Sequence, residues 1–156
     1  MGALGLMAVP FPVCMALSAV LNHLPVEVLP AIQRVEGGTI GTVSHNRNGT
    51  DDLGVMQVNT LWVPRVAWAM GLGEGETRAR LINNACFNIV VAGSILQIYV
   101  RETGGNLWQA VGDYHSHTPV HNLPYQAKVL TGAVRMLNER MSALSRPVDL
   151  RTRSPG

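Results

Sequence analysis

Glu36 is the residue in this chain best placed to hand over a proton. It closes an apolar-patterned stretch and is followed at once by Gly37 and Gly38, and two successive glycines favour a left-handed helix exit. A carboxylate in the last turn faces the negative end of the helix macrodipole, a local conflict of the kind found at sites. That potential and burial both disfavour the ionised form, so both raise the carboxyl pKa. A raised carboxyl is what a general acid working near neutral pH requires. Taken alone, Glu-Gly-Gly reads better as the exposed end of an ordinary surface helix. Asp51 and Asp52 offer a second carboxylate, on a polar stretch where capping or solvent exposure is the simpler reading. His115, His117 and His121 share one turn-rich segment, but no Asp, Glu or Cys with ligand spacing completes a metal set, so no metal is assigned. Gly71, Gly73 and Gly75 alternate as in a phosphate loop, yet no strand precedes them and no Lys-Ser/Thr pair follows.

The elements that must carry these residues are mostly helical. Residues 13–23 read as a helix with Val13, Leu17, Val20 and Leu21 on one face. The next helix begins between Val26 and Leu29, with Pro30 in its first turn and Leu29, Ile32 and Val35 as the core-facing stripe. Thr39 to Asp52 is rich in Gly, Asn, Ser and Thr. A small irregular β region is expected there, with a strand over Thr39–Val43 and a hairpin-type turn at Asn48-Gly49. Thr60 is the expected cap of a helix over Leu61–Met70, and the three glycines after it read as a loop. Asn84–Glu102 is the longest expected helix, with Ile89, Ala92, Leu96, Tyr99 and Val100 inward and Gly93 admitting a close neighbour. Shorter helices are expected over Asn106–Tyr114 and Pro124–Arg140.

These residues and motifs carry a resemblance. A helix ending Ala31-Ile32-x-x-Val35-Glu36-Gly37, then Asp52-Leu53-Gly54-Val55-Met56-Gln57-Val58-Asn59 and Trp62, resembles the family 23 lytic transglycosylases. The likeness is to the small specialised ones that accompany secretion, conjugation and pilus assembly. It continues through residues 83–96 and 108–129, and so covers roughly Cys14 to Arg140. The resemblance implies a mainly α, lysozyme-like (α+β) fold, with an irregular β and loop region around residues 38–55 flanking the cleft. It implies that Glu36 acts first as acid and then as base on the MurNAc-GlcNAc β-1,4 bond of peptidoglycan glycan strands, leaving a 1,6-anhydro end, with no cofactor.

Residue by residue, the resemblance places Gln57 in the sugar groove and Asn59 as a brace of its loop, with helix capping as the alternative for both. Gly54 and Met56 read as structural. Gly37 stands where the family usually has Ser, and His115 where it has Asn, so both are substrate-binding positions with altered side chains. Tyr114 matches the Tyr that hydrogen-bonds the catalytic Glu. Cys14 and Cys86 match positions that often pair, so a disulfide is expected, with two buried thiols as the alternative. A hydrolysing lysozyme and a non-catalytic peptidoglycan-binding assembly protein are the competing functional readings.

Length and charge bound the rest. The chain has 156 residues, one domain's worth, and a formal charge of +2 that its last residues account for through Arg146, Arg151 and Arg153. A body without a clustered basic face argues against nucleic acid as a partner. Residues 1–12 are apolar but uncharged and read as the remnant of an export signal, residues 13–141 as the catalytic domain, and residues 142–156 as a disordered basic tail. The expected address is the periplasm. The expected state is a monomer, with an envelope-spanning apparatus as partner.

Overall fold

A computed structural model describes residues 9–147. The expected export remnant and tail therefore lie largely outside the described residues. Within them the chain is mainly helical, as the resemblance implies, with seven α-helices and one three-stranded antiparallel sheet. Helices α1 (Pro12–Leu21) and α2 (Val28–Glu36) lead into strands β1 (Val43–His45), β2 (Asp51–Leu53) and β3 (Val58–Asn59). A 3-10 turn (Thr60–Trp62) then opens α3 (Val63–Met70), followed by α4 (Glu74–Asn83), α5 (Ala85–Glu102), α6 (Leu107–His115) and α7 (Pro119–Leu144). No single described helix is long and apolar enough to cross a membrane.

α5 is the axle of the domain. Its Ile89, Ala92, Ile95 and Leu96 are buried, and α1, α4 and α6 pack around it. The packing of α1 differs from the expectation. Val13, Leu17, Val20 and Leu21 are exposed, and the buried face is Cys14, Met15, Ser18 and Ala19. The reason is a close helix crossing. A Cβ on Gly93 would meet Ser18 Oγ at 2.1 Å, so small residues must face α5 there. Ser18 Oγ donates to the Ile89 carbonyl at 2.8 Å, and a disulfide joins Cys14 to Cys86 with their Cα atoms 5.2 Å apart.

Gly71 and Gly73 lie in the expected loop between helices, but Gly75 falls inside α4. Glu74 and Glu76 sit in its first turn, where the helix dipole favours negative charge, and Thr77 Oγ1 donates back to the Gly73 carbonyl at 2.9 Å. Gly75 weakens the helix by about 1 kcal/mol. Complete burial of Leu81 returns about 2–3 kcal/mol, so the helix forms. α7, at 26 residues, is longer than α5. It starts at Pro119 rather than Pro124 and runs past residue 141 to Leu144. Pro124 removes one donor from the ladder where the chain is exposed, so water can serve the carbonyl left over.

The sheet is short and irregular. β1 begins at Val43, where the expected strand ended, and pairs with β2 from Val43↔Leu53 to His45↔Asp51. β2 pairs with β3 through Asp52↔Asn59 and Leu53↔Val58. Asn88, fully buried in α5, pins the following loop by donating to the Leu53 and Leu81 carbonyls at 2.7 and 2.8 Å and accepting from Met56 N–H at 2.8 Å. A Cβ on Gly54 would collide with the Leu81 carbonyl at 2.1 Å, so the loop closes only with glycine there. Met56 is buried beneath it. This clamp fixes the β region against the helices, and the cleft lies between them.

Candidate active site

Glu36 ends α2 as the sequence requires. Gly37 takes the left-handed conformation at φ 67°, and its N–H returns to the Gln33 carbonyl at 2.8 Å. Nothing would obstruct a Cβ on Gly37, but the backbone angle would strain one. The Glu36 carboxyl opens into a cavity of about 750 Å³ between the β region and α5–α7. Gln57, Asn59, Tyr114 and His115 line it too, while Gly37 does not.

The hydroxyl on the Glu36 carboxyl comes from a different tyrosine than expected. Tyr125, buried in α7, donates to Glu36 Oε1 at 2.6 Å. Tyr114 donates to the Met56 carbonyl at 2.9 Å, bracing the loop between β2 and β3. The two tyrosines sit on different helices, α6 and α7, and only the packing of α2 against α7 decides which one reaches the acid. His115 lies flat on Tyr125, with ring centroids 4.6 Å apart and planes 1° from parallel. Burial, then the neighbouring His121, holds the His115 imidazole below its ordinary pKa, so it stands in the cleft as a neutral donor and acceptor.

Asp52 is neither loose nor solvent-facing. Its Oδ1 accepts from Asn59 Nδ2 at 2.8 Å and its Oδ2 from Asn46 Nδ2 at 2.9 Å, and it lines the cavity. Asp51 points elsewhere, into contacts with Arg78 at 2.8 Å and His45 at 2.6 Å. Asn59 performs both roles weighed for it. Its amide nitrogen also donates to Thr50 Oγ1 at 3.0 Å, and its oxygen caps the 3-10 turn at Leu61 N–H, 3.0 Å away, a cap expected from Thr60. Gln57 holds a left-handed backbone at φ 52°, rare for a residue with a side chain, and its Nε2 donates to the Gly54 carbonyl at 2.9 Å. Strain of this kind clusters at sites.

These surroundings set the charge of the acid. Burial pushes the Glu36 pKa from 4.5 up to about 7; the Tyr125 hydroxyl opposes the shift and the Asp52 charge adds to it. Burial also raises both tyrosines, helped by the Glu36 charge, so each keeps its proton to donate. The site thus holds a carboxyl that is half protonated near neutrality, in a polar cavity walled by Trp62 and Tyr99, whose rings meet edge to face at 5.9 Å. A cavity of this size and lining suits several pyranose rings, with aromatic faces for the sugar and amides for its substituents. His117 is occupied edge-on against Tyr99 at 5.2 Å, and among the described residues no group of three His, Cys, Asp or Glu side chains could hold a metal ion.

The sequence alone does not mark Tyr125, and it misplaces Asp52. The only local signal for Tyr125 is an aromatic hydroxyl in the α7 stretch, with nothing to set it above Tyr114. Residues 17–122 match the family model described as Transglycosylase SLT domain. The chain is 36% identical over 93 residues to Invasion protein IagB of Salmonella typhimurium, an alignment covering 59% of this chain and 54% of that protein. It is 32% identical over 97 residues to Protein IpgF of Shigella flexneri, covering 62% of this chain and 60% of that protein. The aligned stretches thus span little more than half the length of these relatives.

Proposed function

Because the chain belongs to the transglycosylase SLT domain family, we propose that it is a peptidoglycan lytic transglycosylase with Glu36 as its one acid and base. Protonated Glu36 gives its proton to the glycosidic oxygen between MurNAc and GlcNAc as the C1–O bond breaks. The muramic C6 hydroxyl then attacks C1, and the Glu36 carboxylate takes its proton. The products are a free GlcNAc 4-hydroxyl and a 1,6-anhydroMurNAc end, with no water consumed and the enzyme's proton restored. The observation that carries this reading is the Glu36 carboxyl at the cleft, held by the Tyr125 hydroxyl at 2.6 Å. Burial pushes its pKa up to about 7, where it can give and take a proton at the same pH. Tyr125 orients that carboxyl, and Gln57 and His115 contact the sugars.

A hydrolytic outcome is the second reading, and Asp52 is the observation that favours it. A carboxylate held by two amides in the same cleft could activate water or shield a developing cation. Transglycosylation is the better reading because both Asp52 oxygens are already engaged and no second base is needed. The disulfide supports an exported, periplasmic address. The relatives, one named as an invasion protein, support work at the envelope, where local opening of the wall would admit a secretion or conjugation apparatus.

Digestion of purified sacculi, with mass analysis of the released fragments, tests the reaction. Wild-type protein and Asp52→Asn should both leave anhydro ends. Reducing ends from the wild type, together with an inactive Asp52→Asn, would replace this reading with the hydrolase.

A further inference from the structure

A second groove runs along the outside of the helix pair that builds the acid. It lies between α2 and α7, has a volume of about 520 Å³, and is lined by Arg34, Val35, Lys128, Thr131, Gly132 and Arg135. Three of the lining side chains, Arg34, Lys128 and Arg135, are cationic. Arg34 is held by Glu139 at 3.3 Å, whereas no carboxylate of a described residue pairs with Lys128 or Arg135. The groove therefore carries a net positive charge in a domain whose formal charges sum to zero.

Gly132 is the second observation, independent of the charge. Glycine in the middle of a 26-residue helix weakens it, and a close neighbour usually explains the choice. Here a Cβ would meet nothing within 4 Å, so packing within the domain does not require the glycine. An open floor does. A side chain at 132 would stand in the groove.

The groove is built on the same two helices that meet at Glu36 and Tyr125, although no residue lines both it and the cleft. Arg34 stands two residues before Glu36, and Lys128 three residues after Tyr125, about one helical turn. The Lys128 charge is felt by His115 inside the cleft. From Tyr125 to Arg135 the helix advances about 15 Å. Four residues of extended chain span about 13–14 Å.

We propose that this groove binds the peptide stem of the glycan strand in the cleft, with Lys128 and Arg135 meeting the stem's carboxylates. The inference rests on the proposed function, because only a peptidoglycan strand brings a short anionic peptide to this place. It makes stem-bearing muramic residues the preferred substrates.

The test uses soluble glycan strands in two forms, with stems intact and with stems removed by an amidase, and compares wild type, the Lys128→Ala/Arg135→Ala double variant and Gly132→Leu. Both variants alter exposed or open positions, and leucine is the better helix former at 132. On stem-bearing strands each variant should raise KM roughly 10-fold with kcat little changed, since each ion pair at such a surface is worth only a few-fold. On stripped strands both should match wild type. The wild-type preference for stem-bearing strands should also shrink as salt rises. If the variants match wild type on both substrates, or lose equally on both, the stem subsite is overturned while the transglycosylase stands. A wild-type protein that cleaves neither substrate overturns the proposed function and the subsite with it.

Discussion

Replacing Glu36 with glutamine should make the protein more stable in alkaline solution and leave its stability almost unchanged in acid. The folded carboxyl titrates near 7 against 4.5 for the free side chain, so between those values the native state holds more protons than the unfolded chain. Native stability is then complete below about pH 4.5 and falls as pH rises to about 7, beyond which the loss is constant. A shift of this size corresponds to about 3 kcal/mol. The amide of the Glu36→Gln variant still accepts from the Tyr125 hydroxyl but carries no charge, so it escapes the loss. Denaturant unfolding of both proteins at about pH 4 and about pH 9 measures the difference, and a gain of about 3 kcal/mol should appear only at the higher pH. For a domain of this length that is an increase in Tm of about 6–12 °C. The same variant should lose cleavage by a factor of roughly 10² or more, because an amide cannot act as the acid. Equal stability changes at both pH values would refute the claim that the Glu36 carboxyl is held against its charge. The acid would then need another source.

Tyr125→Phe removes the hydroxyl that favours ionised Glu36, so the alkaline limb of the rate profile should move to higher pH, while Tyr114→Phe should move it much less. A larger displacement in Tyr114→Phe would reverse the two assignments. Asn88→Ala strips three buried hydrogen bonds from the clamp on the β region, and equilibrium unfolding should show a loss of about 3–5 kcal/mol, with cleavage falling as the loop carrying Gln57 loosens. Reducing the Cys14–Cys86 bridge, which spans 72 residues, should lower stability by about 2–4 kcal/mol in parallel denaturation curves. Thiol titration of unreduced, denatured protein should find neither cysteine free.

By itself the sequence determined that Glu36 stands at the end of a helix and what ends that helix. Glu36 followed by Gly37 is a local statement, since a residue at positive φ closes the helix whatever surrounds it. The hairpin turn before Thr50 and the start of α6 near Asn106 are legible for the same reason, because the partners lie within a few residues. The loop from Leu53 to Asn59 is readable as a motif, and Gly54 in it as a close approach. Tertiary structure decided the rest. Which tyrosine touches Glu36 depends on α7 packing against α2 across 89 residues of chain, and no local pattern separates Tyr125 from Tyr114. Which face of α1 is buried was decided by Gly93 on another helix. Close approach there selects Ser18 and Ala19 and leaves Val13, Leu17, Val20 and Leu21 outside, so the apolar stripe they form points to the wrong face. Asp52 faces the cleft because two asparagines from neighbouring segments grip it. The pKa of Glu36 belongs to this second class: burial is a property of what other elements bring to a residue.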